Sequence, residues 1–70
     1  MNEIRKWFEE TGWPYEMYEG ILTFVLGNQE YDIVNEGASY GYSIYNAGGA
    51  YPLEQSMDVQ DVIDWLEDGA

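Results

Sequence analysis

Fourteen carboxylates stand against two cations, Arg5 and Lys6, in a chain of 70 residues that has neither histidine nor cysteine. Carboxylates by themselves can serve as a general acid and base, ligate a hard cation through oxygen, or hold fixed negative charge against a positive surface. The first use, as in glycoside hydrolysis, needs a cleft where one carboxyl stays protonated beside an ionised neighbour, and a chain this short has little material for one. Without imidazole or thiol there is no neutral-pH base, no thiolate nucleophile and no nitrogen or sulfur metal site. The glycines at 37, 41, 48 and 49 precede no Lys-Ser/Thr pair, so they make no phosphate-binding loop. No catalytic residue, and hence no enzyme activity, is expected. Nor is any cofactor. Asp58, Asp61 and Asp64 recur at helical spacing rather than alternating around a central glycine, so divalent cations should bind weakly and diffusely, with no metal site.

Fixed charge is the remaining use. From Trp7 onward the chain carries no cation at all, and the net charge is −12. Such a surface is repelled by acidic lipid and by phosphate backbones, so neither a membrane nor direct nucleic acid is an expected partner. A basic protein is. Asp58, Asp61, Asp64 and Asp68 form a row with neighbours about 4.5–6 Å apart along a helix, and no lysine or arginine is interspersed as on an ordinary solvated face. Glu30, Asp32 and Glu36 supply a possible second row on a sheet.

A 70-residue globule has a radius of gyration of about 11 Å and a span of about 28 Å, over which duplex DNA would place about 16 charges. The two charge densities are close. The expected partner is therefore a nucleic-acid-binding enzyme whose cationic channel accepts this domain in place of a duplex. In size and composition the chain resembles the small acidic DNA mimics of phages and mobile elements that block restriction or CRISPR enzymes. That resemblance rests on no residue motif and transfers no site.

A different use is open to residues 37–53, which carry no charge and are dominated by Tyr, Ser, Gly and Asn. This is the palette of binding loops, where tyrosine gives large contact area at low entropic cost. Tyr45, Asn46 and Tyr51 are the aromatic-patch candidates for a non-enzymatic protein interaction module. Tyr40, Tyr42 and Ile44 are read as core.

The elements that must position these residues follow from periodicity. Ile4, Trp7 and Phe8 fall on one face of a helix over 2–11, capped by Asn2 and stopped by Gly12 and Pro14. In it Arg5 and Lys6 each stand four residues before a glutamate. From Trp13 the period becomes two, giving strands over 15–19, 21–26 and 30–34, with Gly27-Asn28 turning a hairpin. Glu36-Gly37-Ala38 turns into a strand over 40–45, with Gly41, Ser43 and Tyr45 on one face. After a loop over 46–55, Ser56 caps a helix whose Val59, Val62, Ile63 and Leu66 form an apolar stripe flanked by Trp65. The expectation is one small α+β domain, with a three- or four-stranded antiparallel sheet and both helices packed on one of its faces. With 46% apolar and 17% aromatic residues it is too rich in core-formers for a disordered acidic tail. The missing cysteines, the absence of an apolar leader at the N-terminus and the lack of a run of about 20 apolar residues point to a cytoplasmic protein.

Overall fold

The computed structural model describes residues 1–69, and it is an α+β domain. Its order is α1 (Asn2–Thr11), β1 (Glu16–Tyr18), β2 (Ile21–Leu26), β3 (Gln29–Asn35), β4 (Tyr42–Asn46), β5 (Glu54–Met57) and α2 (Val59–Gly69). The strands form one antiparallel meander in sequence order. Strand alternation sends Leu22, Phe24, Ile33, Ile44 and Met57 to one face, where they bury against Ile4 and Phe8 of α1 and Val62 and Leu66 of α2. Both helices therefore cover the same face, and the other face of the sheet is open.

Helix α1 ends in a Schellman arrangement. Gly12 adopts φ 75°, its N–H donates to the Glu9 carbonyl, and the Trp13 N–H donates to the Phe8 carbonyl. The Trp13 and Phe8 rings, 5.9 Å apart, supply the apolar contact that accompanies the motif. At the other end no side chain caps the helix, and Asn2 is its first residue rather than its cap.

The hairpin of β2 and β3 has the expected register, Leu26 opposite Gln29 and Leu22 opposite Ile33. Glu19, expected at the end of the first strand, instead turns with Gly20 at φ 50°. The fourth strand begins at Tyr42, not Tyr40. Gly41 sits at φ 72°, and a Cβ there would lie 2.6 Å from the Met57 carbonyl oxygen, so the backbone of β5 occupies the space a side chain would need. Tyr40 is consequently held in the preceding turn, 71% exposed, and is not core; Tyr42 and Ile44 do join the apolar layer.

Residues 54–57 form a fifth strand where the end of a loop and, from Ser56, the start of the last helix were expected. The run Glu54-Gln55-Ser56-Met57 has one apolar residue and pairs with β4 through a register irregularity, so it carries no alternating signal. Ser56 lies in that strand at φ 57° and does not cap α2. The cap is Asp58. Its Oδ1 accepts the Asp61 N–H at 2.7 Å, while Asp61 Oδ2 accepts the Asp58 N–H at 3.2 Å, a reciprocal capping box. Asp58→Ala is expected to lower unfolding free energy by about 1 kcal/mol, with Asp58→Ser retaining most of it. Urea denaturation reads the difference, and equal losses for Ala and Ser would place the effect outside the cap.

Candidate acidic surface

The seven candidate acids divide between two faces of the molecule. Asp61, Asp64 and Asp68 of α2 project beside the edge strand, where with Glu54 and the half-buried Trp65 they line a shallow groove. Glu30 and Asp32 lie two residues apart on β3, about 6.5 Å along the strand, and face the open side of the sheet. Glu36 follows at the end of the same strand. Because α2 packs on the opposite side, the helix row and the sheet row are separated by the core and cannot form one strip. The open face gains Glu16 of β1, and the groove gains Glu54, two acids that periodicity alone did not single out. Glu54 was missed because β5 was read as loop.

Asp58 and Asp61 differ from the other acids on the groove side. Their carboxylates are engaged by backbone N–H groups at the helix start, and Asp58 precedes α2 rather than lying on it. Asp64 and Asp68 are the row members left to face outward.

Most of the engaged acids are held by neutral donors. Thr23 donates its hydroxyl to Asp32 at 2.9 Å, Ser43 and Tyr45 donate to Glu36 at 3.2 and 3.0 Å, Gln60 donates its amide to Asp64 at 2.9 Å, and Tyr15 donates to Glu9 at 2.7 Å. Among the described residues the single ion pair is Arg5 with Glu9, at 3.9 Å on the exposed side of α1. Lys6 has no such pair among them. Both cations are thus confined to α1, and the α2 groove and open sheet face carry none. Among the described residues no three carboxylates gather closely enough to hold a metal ion.

The uncharged segment does not make one patch. Tyr42 packs against the core, Tyr40 stands at one end of β4, and Tyr51, 85% exposed, stands in the loop beyond the other end. Asn46 closes β4, and its carbonyl accepts the Gly49 N–H at 2.7 Å. Tyr45 is half-buried on the open face directly opposite Asp32, so this aromatic candidate belongs with the sheet acids.

The hydrogen bond to Glu36, then partial desolvation and the nearby negative charge, raise the Tyr45 phenol above its ordinary value, with Ser43 opposing. Tyr15 is raised in the same way, first by its bond to Glu9. Compared with family models, curated proteins and solved structures, the chain matches none. Among the described residues no helix is long and apolar enough to cross a membrane.

A raised phenol favours the neutral form in the fold. Its contribution to stability is complete below the unfolded value near 10 and is lost as pH rises through the higher folded value. Glu36→Gln is expected to move one tyrosine titration to lower pH, read by tyrosinate absorbance. An unchanged titration curve would show that the Tyr45–Glu36 bond does not persist in solution.

Proposed function

We propose that this protein is a non-enzymatic inhibitor that occupies the cationic channel of a nucleic-acid-binding enzyme, as a mimic of duplex DNA. The observation that carries this reading is the way five of the seven candidate acids, Asp32, Glu36, Asp58, Asp61 and Asp64, are held. Hydroxyls, amides and backbone N–H groups orient them without cancelling their charge, so the surface is ordered and still anionic. Lysine or arginine in those places would have oriented the acids equally well and neutralised them.

Shape and distribution support the same reading. The molecule measures 30 × 24 × 23 Å, and a 30 Å length of duplex carries about 18 charges against the net −12 here. Acids on opposite faces suit a channel that encloses its ligand more than a flat basic patch. Long-range attraction would give fast encounter, and competition for the channel would then be steric and electrostatic. Action against a host restriction, CRISPR or DNA-processing enzyme, in the cytoplasm, is the corresponding biological setting. A narrower second reading uses Tyr51 and Leu53, both exposed in the loop before β5, as an apolar contact for a protein partner.

The test uses charge reversal that spares the cap. Asp64→Lys with Asp68→Lys should weaken capture of DNA-binding enzymes by immobilised protein about tenfold or more, and those enzymes should be released by salt and by duplex DNA. The same variant should be more stable, by about 0.3–1 kcal/mol, because a cation at 68 suits the C-terminal turn of the helix and both changes relieve repulsion among the acids. A partner that ignores both salt and DNA, and is lost on Tyr51→Ala, would replace mimicry with the loop reading.

A further inference from the structure

Strand β1 accompanies β2 only as far as Thr23, opposite Glu16, and leaves Val25 without a strand on that side. The chain from Trp13 to Glu16 crosses that gap. It does not close it, and a recess remains on the open face, walled by Trp13 and Pro14, floored by Val25, and rimmed by Glu16 and Glu30. We propose that this recess anchors one cationic side chain of a protein partner, arginine above all.

The Trp13 wall is fixed in the free protein. The Trp13 indole N–H donates to the Val25 carbonyl at 3.0 Å, taking the bond a longer β1 would have made. The Trp13 ring also packs 5.9 Å from that of Phe8, which holds it in place. Ordering this ring on binding therefore costs little. Val25 is 54% exposed, an aliphatic floor open to solvent. Glu16 lies across from Thr23 and Glu30 across from Val25, which sets their backbones about 12 Å apart, and their long side chains flank the opening from either side. Among the described residues neither carboxylate is held by an ion pair or a side-chain hydrogen bond.

One aromatic wall, an aliphatic floor and two free carboxylates define the occupant by chemistry. An anion is repelled by the rim. A bare metal ion gains nothing from the aliphatic floor. A guanidinium can lie against an aromatic face, donate in a fork to a carboxylate, and lay its methylenes on Val25, whereas an ammonium offers a point charge without the planar fit. The inference rests on the proposed function only in taking the partner to be a basic protein; it does not require a nucleic-acid channel.

The probe is a capped pentapeptide with one central arginine, compared with the same peptide carrying citrulline, its uncharged near-isostere, by amide NMR of isotope-labelled protein. Saturable shifts at the Trp13 indole and the Val25 amide are expected with arginine alone. Glu16→Gln with Glu30→Gln should weaken the affinity about fivefold. Asp64→Asn with Asp68→Asn removes the same charge and should change it by less than about twofold. Equal response to citrulline, shifts centred on α2, or equal weakening by the two double variants would overturn the assignment. Loss of arginine binding with capture of DNA-binding enzymes intact would remove the pocket and leave the channel reading standing.

Discussion

The Phe8 ring lies 5.2 Å from Phe24, and that contact ties α1 to the middle of the sheet. Around it Trp7, Trp13, Tyr15, Tyr31 and Trp65 meet one another or the pair at 5.2–6.3 Å, mostly tilted or edge-on. Each aromatic residue buries more apolar surface than an aliphatic one, and tilted or edge-on pairs add about 0.5–1.5 kcal/mol beyond burial. A 70-residue domain with heavy self-repulsion has little stability to spare. Concentrating core material in large rings offsets that deficit without cysteine or metal. The same rings place Trp13 against the end of β2, so the core seam and the recess at the sheet edge are one construction.

Charge and fold are kept apart by strand alternation and helix periodicity. Along β3, Tyr31 and Ile33 turn inward while Glu30 and Asp32 turn outward, and on α2 Val62 and Leu66 turn inward while Asp64 and Asp68 do not. The acids repel one another and place negative charge at the unfavourable end of α2, where Glu67 and Asp68 meet the helix carbonyls. Stability alone would favour lysine there. Neutral donors on Thr23, Ser43, Tyr45 and Gln60 recover some order without touching the charge.

Periodicity made the two helices, the β2–β3 hairpin and the layer arrangement legible in the sequence, because Ile4, Phe8, Leu22, Phe24, Ile33 and Leu66 repeat with clear periods. It failed where backbone geometry decided. Strand β5 has polar side chains and is defined by pairing to β4, which no pattern of Glu, Gln and Ser announces. Tyr40 was read as core because Tyr40, Tyr42 and Ile44 alternate, yet the approach of the Met57 carbonyl to Gly41 ends the strand first. Ser56 and Asp58 are both good capping residues, and the choice between them turned on Asp61, three residues after Asp58, returning the bond. The acidic rows were legible as composition, but their placement on opposite faces depended on which sheet face the helices cover. The recess at Trp13 depended on where β1 stops, a boundary that side-chain periodicity does not mark.

The meander places every strand beside its sequence neighbours, so the sheet can assemble through short loop closures in the order it is read. The helices do not share that locality. Ile4 and Phe8 come from one end of the chain and Val62 and Leu66 from the other, yet they roof the same apolar face. Until α2 docks, that face has only one of its two helices, and Phe24 and Tyr31 lack the Trp65 ring that packs on them. Completion of the fold is thus tied to α2 as much as to α1, which makes the domain a single cooperative unit.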